Sequence, residues 1–339
     1  MRIVIVTDAW TPQVNGVVRT LVTTCAELER RGHPVTVIAP DQYRTIACPT
    51  YPEIRLALTG ARAIGARIAA ARADAVHIAT EGPLGLAARR WCVARGVPFT
   101  TAYHTQFPAY VAGRTRLPEA MLWRYIRWFH APSAAIMAAT PTLRRELAAH
   151  GLPHTRAWGR GVDLDAFSPS AAPPAIYANL PRPILLNVGR IAVEKNLRAF
   201  LCADVPGSKV VVGEGPMRAE LQRRHPDVTW LGALHGSALV GAYAGADAFV
   251  FPSRTDTFGL VMAEALSCGT PVAAFPVAGP IDVLSDEVGC MDEDLEVAIA
   301  AALTRDRTVC AAYARRFSWS RSADQFLAAL SPLDFQTAA

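Results

Sequence analysis

Short apolar runs alternate with longer amphipathic stretches along the first half of the chain. The runs are rich in β-branched residues and apolar on both faces, which is typical of buried parallel strands. They cover residues 3–7, 35–39, 76–79, 99–103 and 136–140. Between them, the spacing of apolar positions predicts helices such as 17–31 and 83–95. This alternation predicts a doubly wound α/β sheet.

The same pattern restarts after a proline-rich stretch at 168–183. The second set of strand-like runs covers residues 184–189, 209–213, 228–231, 248–251 and 272–275. We therefore predict two Rossmann-like domains, the first at 1–168 and the second at 176–317, joined by a linker.

The composition of the chain argues against several classes of protein. With 51% hydrophobic and 19% charged residues, the chain is not of the disordered type. It has no apolar run long enough to span a bilayer, and Asp8 interrupts the first run too early for a signal peptide, so we expect a cytosolic protein. The seven cysteines are odd in number and form no C-x-x-C pair, which argues against a disulfide framework or a zinc site.

Charge is distributed unevenly between the two halves. Residues 1–165 carry a net charge of +9, whereas residues 166–339 carry −4. We expect the first domain to bind an anionic surface.

Ligands of doubly wound sheets bind beyond the carboxyl ends of the strands, so two facing domains predict a cleft between two sets of loops. The loop after the first strand, residues 8–16, contains one glycine and no G-x-G-x-x-G, and the chain has no Walker A motif. These absences argue against a dinucleotide-dependent dehydrogenase and a P-loop NTPase.

The most specific stretch is 251–266, where a strand ends in a polar loop and a helix follows. Phe258, Gly259 and Leu260 open that helix, and the free N–H groups of its first turn suit an anion. Asp256 and Glu264 lie eight positions apart across this junction. The stretch resembles family 4 of the retaining glycosyltransferases, whose signature is a Glu-x7-Glu pair in this context. Here the first member is Asp.

The resemblance continues in order along nearly the whole chain. It is strongest to bacterial enzymes that glycosylate membrane lipids, such as sulfoquinovosyl-diacylglycerol synthases and GDP-mannose-dependent lipid mannosyltransferases. The other matching motifs are Asn15-Gly16-Val17, Tyr103-His104-Thr105-Gln106-Phe107, Arg160-Gly161-Val162-Asp163, Val188-Gly189-Arg190, Glu194-Lys195-Asn196 and Gly213-Glu214-Gly215-Pro216. The resemblance implies the GT-B fold, in which a C-terminal segment, here 318–339, returns to the first domain.

The family also implies roles for individual residues. Glu264 would accept hydrogen bonds from the ribose hydroxyls, Asp256 would face the donor sugar, and His104 would lie beside the transferred sugar. No protein nucleophile is required, because the departing phosphate helps to remove the acceptor's proton.

The donor's diphosphate is negatively charged, so we expect positively charged side chains to bind it. Arg190 and Lys195 share one loop after the first strand of the second domain, where they suit a leaving group of this charge. Backbone N–H groups near Asn15, Gly16 and Gly215 are further candidate donor contacts. The acidic clusters at 163–165 and 292–294 lack a second ligand set, so we predict no essential metal cofactor.

Two stretches bear on the acceptor. Plotted at helical period, residues 55–72 place an apolar stripe flanked by Arg67 and Arg72, with Arg55 and Arg62 opposite, an arrangement typical of interfacial helices. The alternative is a surface helix packed on the sheet. Residues 114–130 mix arginine with aromatic residues, including Trp123, Arg124 and Arg127, which suits a lipid headgroup layer.

We therefore predict a peripheral enzyme of the inner membrane face that moves a hexosyl unit from UDP-glucose, UDP-glucuronate or GDP-mannose to a lipid such as diacylglycerol. Its partners would be the nucleotide sugar, the lipid acceptor and an anionic membrane surface. The alternatives are transfer to a soluble or polysaccharide acceptor, and a nucleotide-sugar 2-epimerase with the same fold. No common nucleic-acid-binding motif is present, so nucleic acid is not an expected partner.

Overall fold

The computed structural model describes residues 1–13, 15–48, 51–104 and 118–333, with the backbone alone at 51–54. The chain forms two compact units. The first comprises the chain up to Arg160 together with the chain from Trp319 onward, and the second comprises Gly161–Ser318. Each unit contains its own six-stranded sheet.

The first unit contains eight described strands. They are β1 Ile3–Val6, β2 Val35–Ile38, β3 Thr45–Cys48, β4 Tyr51–Ala57, β5 Ala75–Ile78, β6 Thr100–Tyr103, β7 Ala135–Ala138 and β8 Thr155–Ala157. Six of them form a parallel sheet in the order β2-β1-β5-β6-β7-β8, and β3 and β4 form a separate antiparallel hairpin. All five strands predicted for this half are present, and their carboxyl ends lie at one edge of the sheet.

Five described helices precede the second unit. They are α1 Gly16–Arg30, α2 Ala61–Ala70, α3 Pro83–Arg95, α4 Glu119–His130 and α5 Pro141–Ala149. Helix α1 shows why these segments fold as they do: Asn15 caps its start, and its buried residues Val18, Leu21, Cys25 and Leu28 recur every three or four positions. Fully burying one leucine of this kind contributes roughly 1.5 to 3 kcal/mol.

The hairpin and α2 correct the prediction of one helical stretch at 55–72. Strand β4 runs to Ala57, so Arg55 and Ala57 belong to the hairpin, and the helix begins only at Ala61. The buried face of α2 packs on α3. The contact is close, because a Cβ at Gly65 would lie 1.9 Å from the Trp91 ring.

The second unit repeats the parallel arrangement. Its strands are β9 Ile184–Val188, β10 Ser208–Val212, β11 Thr229–Gly232, β12 Ala248–Phe251, β13 Val272–Ala274 and β14 Gly289–Met291, in the order β11-β10-β9-β12-β13-β14. Its helices are α6 Leu197–Cys202, α7 Arg218–Arg224, α8 Gly236–Gly245, α9 Leu260–Ser267, α10 Pro280–Val283, α11 Leu295–Ala302 and α12 Arg307–Ala314. A 3-10 helix, Val193–Lys195, precedes α6.

The last helix, α13 Trp319–Ala329, packs within the first unit. Arg31 Nη1 donates to Asp324 Oδ1 at 2.5 Å, and the Gly159 N–H donates to Gln325 Oε1 at 2.7 Å. Residues 161–168, assigned to the first domain from the sequence, lie in the second unit. The reason is a backbone pairing there, in which the Val162 N–H donates to the Phe317 carbonyl at 2.9 Å.

Candidate active site

In the second unit, an ion pair joins the loop after β9 to the loop after β12. Lys195 Nζ donates to Asp256 Oδ1 at 2.6 Å and to Oδ2 at 2.8 Å. Lys195 ends its 3-10 helix, and Asn196 follows in the left-handed conformation, with its side-chain amide donating to the Pro252 carbonyl at 3.1 Å. The structure thus brings together two predicted site residues that are far apart in sequence.

Arg190 and Gly215 lie on adjoining loops of the second unit. Arg190 follows β9 after Gly189 and is exposed. The Ile191 N–H donates to the Glu214 carbonyl at 2.9 Å, and a Cβ at Gly215 would lie 2.3 Å from the Ile191 carbonyl oxygen. Gly215 is therefore required for packing, whatever its role toward a ligand.

The predicted anion-binding turn begins α9. Gly259 has a φ of 77° and precedes the first helical residue, Leu260. Phe258 is buried with its ring edge-on to Phe317, at 5.7 Å between centroids. The Phe258 side chain therefore belongs to the core, and the helix N-terminus supplies the polar groups of this turn.

Glu264, the predicted ribose acceptor, lies two turns into α9. The residue is only 1% exposed, and its Oε2 accepts a hydrogen bond from the Tyr243 hydroxyl at 2.8 Å. Tyr243 lies on α8 and was missed from the sequence, because a tyrosine in an apolar helix reads as core. The ribose contact of Glu264 stays a prediction, and its partner Tyr243 joins the candidate residues.

In the first unit, two acids follow neighbouring strands. Asp8, after β1, is buried and accepts from the Thr80 hydroxyl at 2.9 Å and from the Leu84 N–H at 2.8 Å. Burial raises its pKa, although these hydrogen bonds act the other way. Asp8 thus stabilises the start of α3, which is a structural task.

Glu81 follows β5 and is held by α4. His130 Nε2 lies 3.3 Å from Glu81 Oε1, and the Tyr125 hydroxyl donates to the Glu81 carbonyl at 2.5 Å. The other ring nitrogen of His130 lies 2.8 Å from the Thr101 hydroxyl. Glu81 was not predicted as a site residue, although its place shortly after a buried strand was the available signal.

His104 follows β6 at the same edge of the sheet. Its Nδ1 lies 2.9 Å from Arg160 Nη2, and its ring lies edge-on to Trp158 at 5.3 Å between centroids. Burial, with smaller effects from Arg160 and His77, lowers the His104 pKa well below its usual value. Residues 105–107 of the matching motif lie outside the described part of the chain.

Asn15 and Gly16 form the start of α1. Asn15 Oδ1 accepts from the Val17 and Val18 N–H groups, each at 3.0 Å, and both Asn15 and Gly16 are exposed. Asn15 is therefore a helix cap, a role that stabilises helices by about 1 kcal/mol. Because the Asn15 side chain caps the helix, the predicted ligand contact would have to come from the backbone beside it.

The structure corrects part of the predicted membrane surface. Ile64 and Ile68 of α2 are buried in the core, so this helix presents no apolar stripe to a bilayer. Trp123 is also core: it is 5% exposed and stacks on His150 at 3.6 Å between ring centroids. The five predicted arginines are exposed, namely Arg62, Arg67, Arg72, Arg124 and Arg127. Residues 114–117 of the second stretch lie outside the described part of the chain.

In the part of the chain that the structure describes, every helix is too short or too polar to span a bilayer. The same residues contain no group of three or more His, Cys, Asp or Glu side chains arranged to hold a metal ion.

Two family models and several known proteins match this chain. The family model described as Glycosyltransferase Family 4 matches residues 14–166, and that described as Glycosyl transferases group 1 matches 182–305. The GDP-mannose-dependent alpha-mannosyltransferase of Mycolicibacterium smegmatis is 32% identical over 331 residues, covering 90% of this chain and 88% of that protein.

A second relative and one solved structure extend the comparison. The alpha-monoglucosyldiacylglycerol synthase of Streptococcus pneumoniae is 27% identical over 348 residues, covering 89% of this chain and 78% of that protein. The structure of sucrose-phosphate synthase from Thermosynechococcus elongatus is similar with a TM-score of 0.77 at 20% identity, covering 96% of this chain and 97% of that one.

Proposed function

This chain belongs to glycosyltransferase family 4, and we propose that it moves a hexosyl unit from a nucleotide sugar to a membrane lipid such as diacylglycerol, with retention at the anomeric carbon. Its GT-B fold, with two parallel-sheet α/β domains, confirms the prediction from sequence. It is a hexosyltransferase. The observation that carries the proposal is the match to the M. smegmatis mannosyltransferase over most of both chains.

The second unit binds the donor in this proposal. Transfer leaves a nucleoside diphosphate whose growing negative charge must be balanced, and Lys195 and Arg190 follow the same strand as two cations. The start of α9 adds backbone N–H groups, which favour phosphate. These groups provide the charge balance without an essential metal, which is why we propose none.

GDP-mannose is the donor that we propose to test first. The M. smegmatis relative is named for its dependence on GDP-mannose. It is 32% identical to this chain, compared with 27% for the S. pneumoniae relative. UDP-glucose and UDP-glucuronate are the alternatives.

The lipid acceptor is supported by a relative and by surface charge. The S. pneumoniae relative is by name a synthase of a glucosylated diacylglycerol. In this chain, Arg62, Arg67 and Arg72 project from the first unit and are exposed. We propose that these cations, with Arg124 and Arg127, hold the enzyme on the anionic inner face of the membrane by charge rather than by insertion of α2.

One donor screen tests the proposal. Purified full-length protein is given GDP-mannose, UDP-glucose or UDP-glucuronate with diacylglycerol in mixed micelles, and the products are separated and their anomeric configuration is read by NMR. We expect an α-linked glycolipid from one donor. Sugar transfer only to a soluble acceptor, or an epimerised nucleotide sugar formed without acceptor, would contradict the proposal and favour the corresponding alternative.

A further inference from the structure

We propose that Arg160 is a positioning residue that fixes His104 as a neutral imidazole with its proton on Nε2, so that His104 does not act as the base of the reaction. The proposal rests on the hexosyl transfer proposed above. It concerns a residue pair separated by 56 positions in sequence.

The first step is the chemistry of the contact. Arg160 Nη2 and His104 Nδ1 are 2.9 Å apart. A guanidinium carries only N–H donors and no acceptor, so the histidine nitrogen that faces it must be the acceptor. Nδ1 is therefore unprotonated, and the ring proton of the neutral imidazole lies on Nε2.

The second step is the rigidity of Arg160. The residue is 6% exposed, and its Nη1 donates to the Trp158 carbonyl at 2.6 Å. Its guanidinium also lies over the Trp158 ring, 4.8 Å from the centroid. Burial lowers the Arg160 pKa to about 10, which leaves the group charged at neutral pH. The donor that faces His104 is thus both fixed and permanently present.

The third step is the set of charges around His104. Burial opposes a positive charge on the ring, and so does the cation of Arg160, after β8, while His77, on β5, stays neutral at neutral pH. A doubly protonated imidazole would also direct Nδ1–H against the N–H groups of Arg160. The ring is therefore neutral in the pH range where a histidine base would have to accept a proton.

The neutral state of His104 determines where the proton of the acceptor hydroxyl goes during the transfer. The bond between the anomeric carbon and the acceptor oxygen forms as the bond from that carbon to the donor phosphate breaks, and the acceptor's proton goes to the departing phosphate. His104 could accept a proton only through Nδ1, which Arg160 occupies. The acceptor's proton therefore does not go to His104 in this proposal.

The test reads the proton directly and needs no substrate. In ¹⁵N-labelled full-length protein, long-range ¹H–¹⁵N spectra distinguish protonated from unprotonated ring nitrogens, and loss of signals in His104→Gln assigns the residue. We expect a protonated Nε2 and an unprotonated Nδ1, unchanged between pH 8 and pH 6. A proton on Nδ1, or on both nitrogens at pH 7, overturns the proposal even if the enzyme proves active on lipids.

Variants then test the part played by Arg160. Arg160→Met removes the donor, Arg160→Lys keeps one, and Arg156→Met alters an exposed arginine of β8 as the control. We expect Arg160→Met to populate both tautomers of His104 and to raise the pKa of its imidazole. The same variant should lower kcat at least about tenfold, and Arg160→Lys should restore part of that loss. A Met variant with the parent's single tautomer and pH profile overturns the assignment. If that variant does not fold, the parent spectrum decides alone.

Discussion

Lys195 donates to both carboxylate oxygens of Asp256, at 2.6 Å and 2.8 Å, so the cation predicted for the diphosphate and the acid predicted for the sugar are already in contact. The two side chains are 33% and 22% exposed, respectively, which leaves the pair open to a ligand. In the proposed donor complex, the diphosphate would share Lys195 with Asp256. The pair would then link donor binding to the position of the acid.

Removing the cation should slow transfer. We expect Lys195→Ala to lose about 2 to 4 kcal/mol of transition-state stabilisation, or about 30- to 1,000-fold in rate, because the leaving diphosphate loses a charge-assisted contact. Steady-state kinetics and calorimetry with the bare nucleoside diphosphate measure this effect. Arg223→Ala, an exposed cation on α7, is the control. Unchanged nucleotide affinity with a rate loss under about threefold would contradict the assignment.

Neutralising the acid should separate turnover from nucleotide binding. We expect Asp256→Asn to reduce kcat strongly while affinity for the bare nucleoside diphosphate stays equal or rises, since Lys195 loses its competing carboxylate and the sugar is absent from that ligand. The two constants are measured on the same preparation. A loss of nucleotide affinity equal to that of Glu264→Gln would show that Asp256 does not act on the sugar side.

The buried acid of α9 should behave in the opposite way. We expect Glu264→Gln to weaken the nucleotide, because charge-assisted ribose bonds contribute roughly 1.5 to 3 kcal/mol each. Tyr243→Phe is the matched control, since it removes the hydroxyl that donates to Glu264 and keeps the carboxylate. Equal weakening by both variants would mean that Glu264 acts through packing and not through the ribose.

Three exposed arginines should hold the protein on anionic vesicles. We expect conversion of Arg62, Arg67 and Arg72 to Gln to weaken vesicle partition by about 100-fold at low salt and to leave nucleotide affinity intact. The control changes three exposed arginines of the second unit, Arg198, Arg223 and Arg224. Equal partition of the parent and the first variant would exclude this surface as the membrane contact.

Acid should destabilise the first unit through His77. The side chain is fully buried on β5, and burial lowers its pKa to about 3. In the unfolded chain the pKa of this histidine is near 6.5. Above that pH the side chain is neutral in both the folded and the unfolded state, so it does not change the free energy of unfolding. As pH falls from there toward 3, only the unfolded state takes up the proton, and stability falls by about 1.4 kcal/mol per pH unit.

Denaturant unfolding at pH 7.5 and pH 5 measures that loss. We expect the parent to lose about 2 kcal/mol more than His77→Gln does across this interval. The exposed His235→Gln serves as the control and should follow the parent. An identical pH dependence in parent and His77→Gln would show that the residue is not held neutral.

The sequence predicts strands well where their apolar runs are continuous, and it fails where tertiary contacts decide. Arg55 and Ala57 fit a helical period, yet they lie on β4, because the hairpin pairs Ala57 with Thr45. Trp123 looks like a headgroup residue, but its ring stacks on His150, which follows the last residue of the next helix. For the site, motif positions located Lys195 and Asp256, while the contact between Arg160 and His104 joins distant loops that no local pattern reveals.

The return of α13 to the first unit sets the order in which the protein can be completed during synthesis. Phe326 is buried against both Trp158 and His77, so this core remains open until α13 has been made. The second unit, Gly161–Ser318, is contiguous and is complete earlier. The half of the enzyme made first is therefore the half that closes last, and a nascent chain stalled before Trp319 exposes aromatic surface to chaperones and proteases.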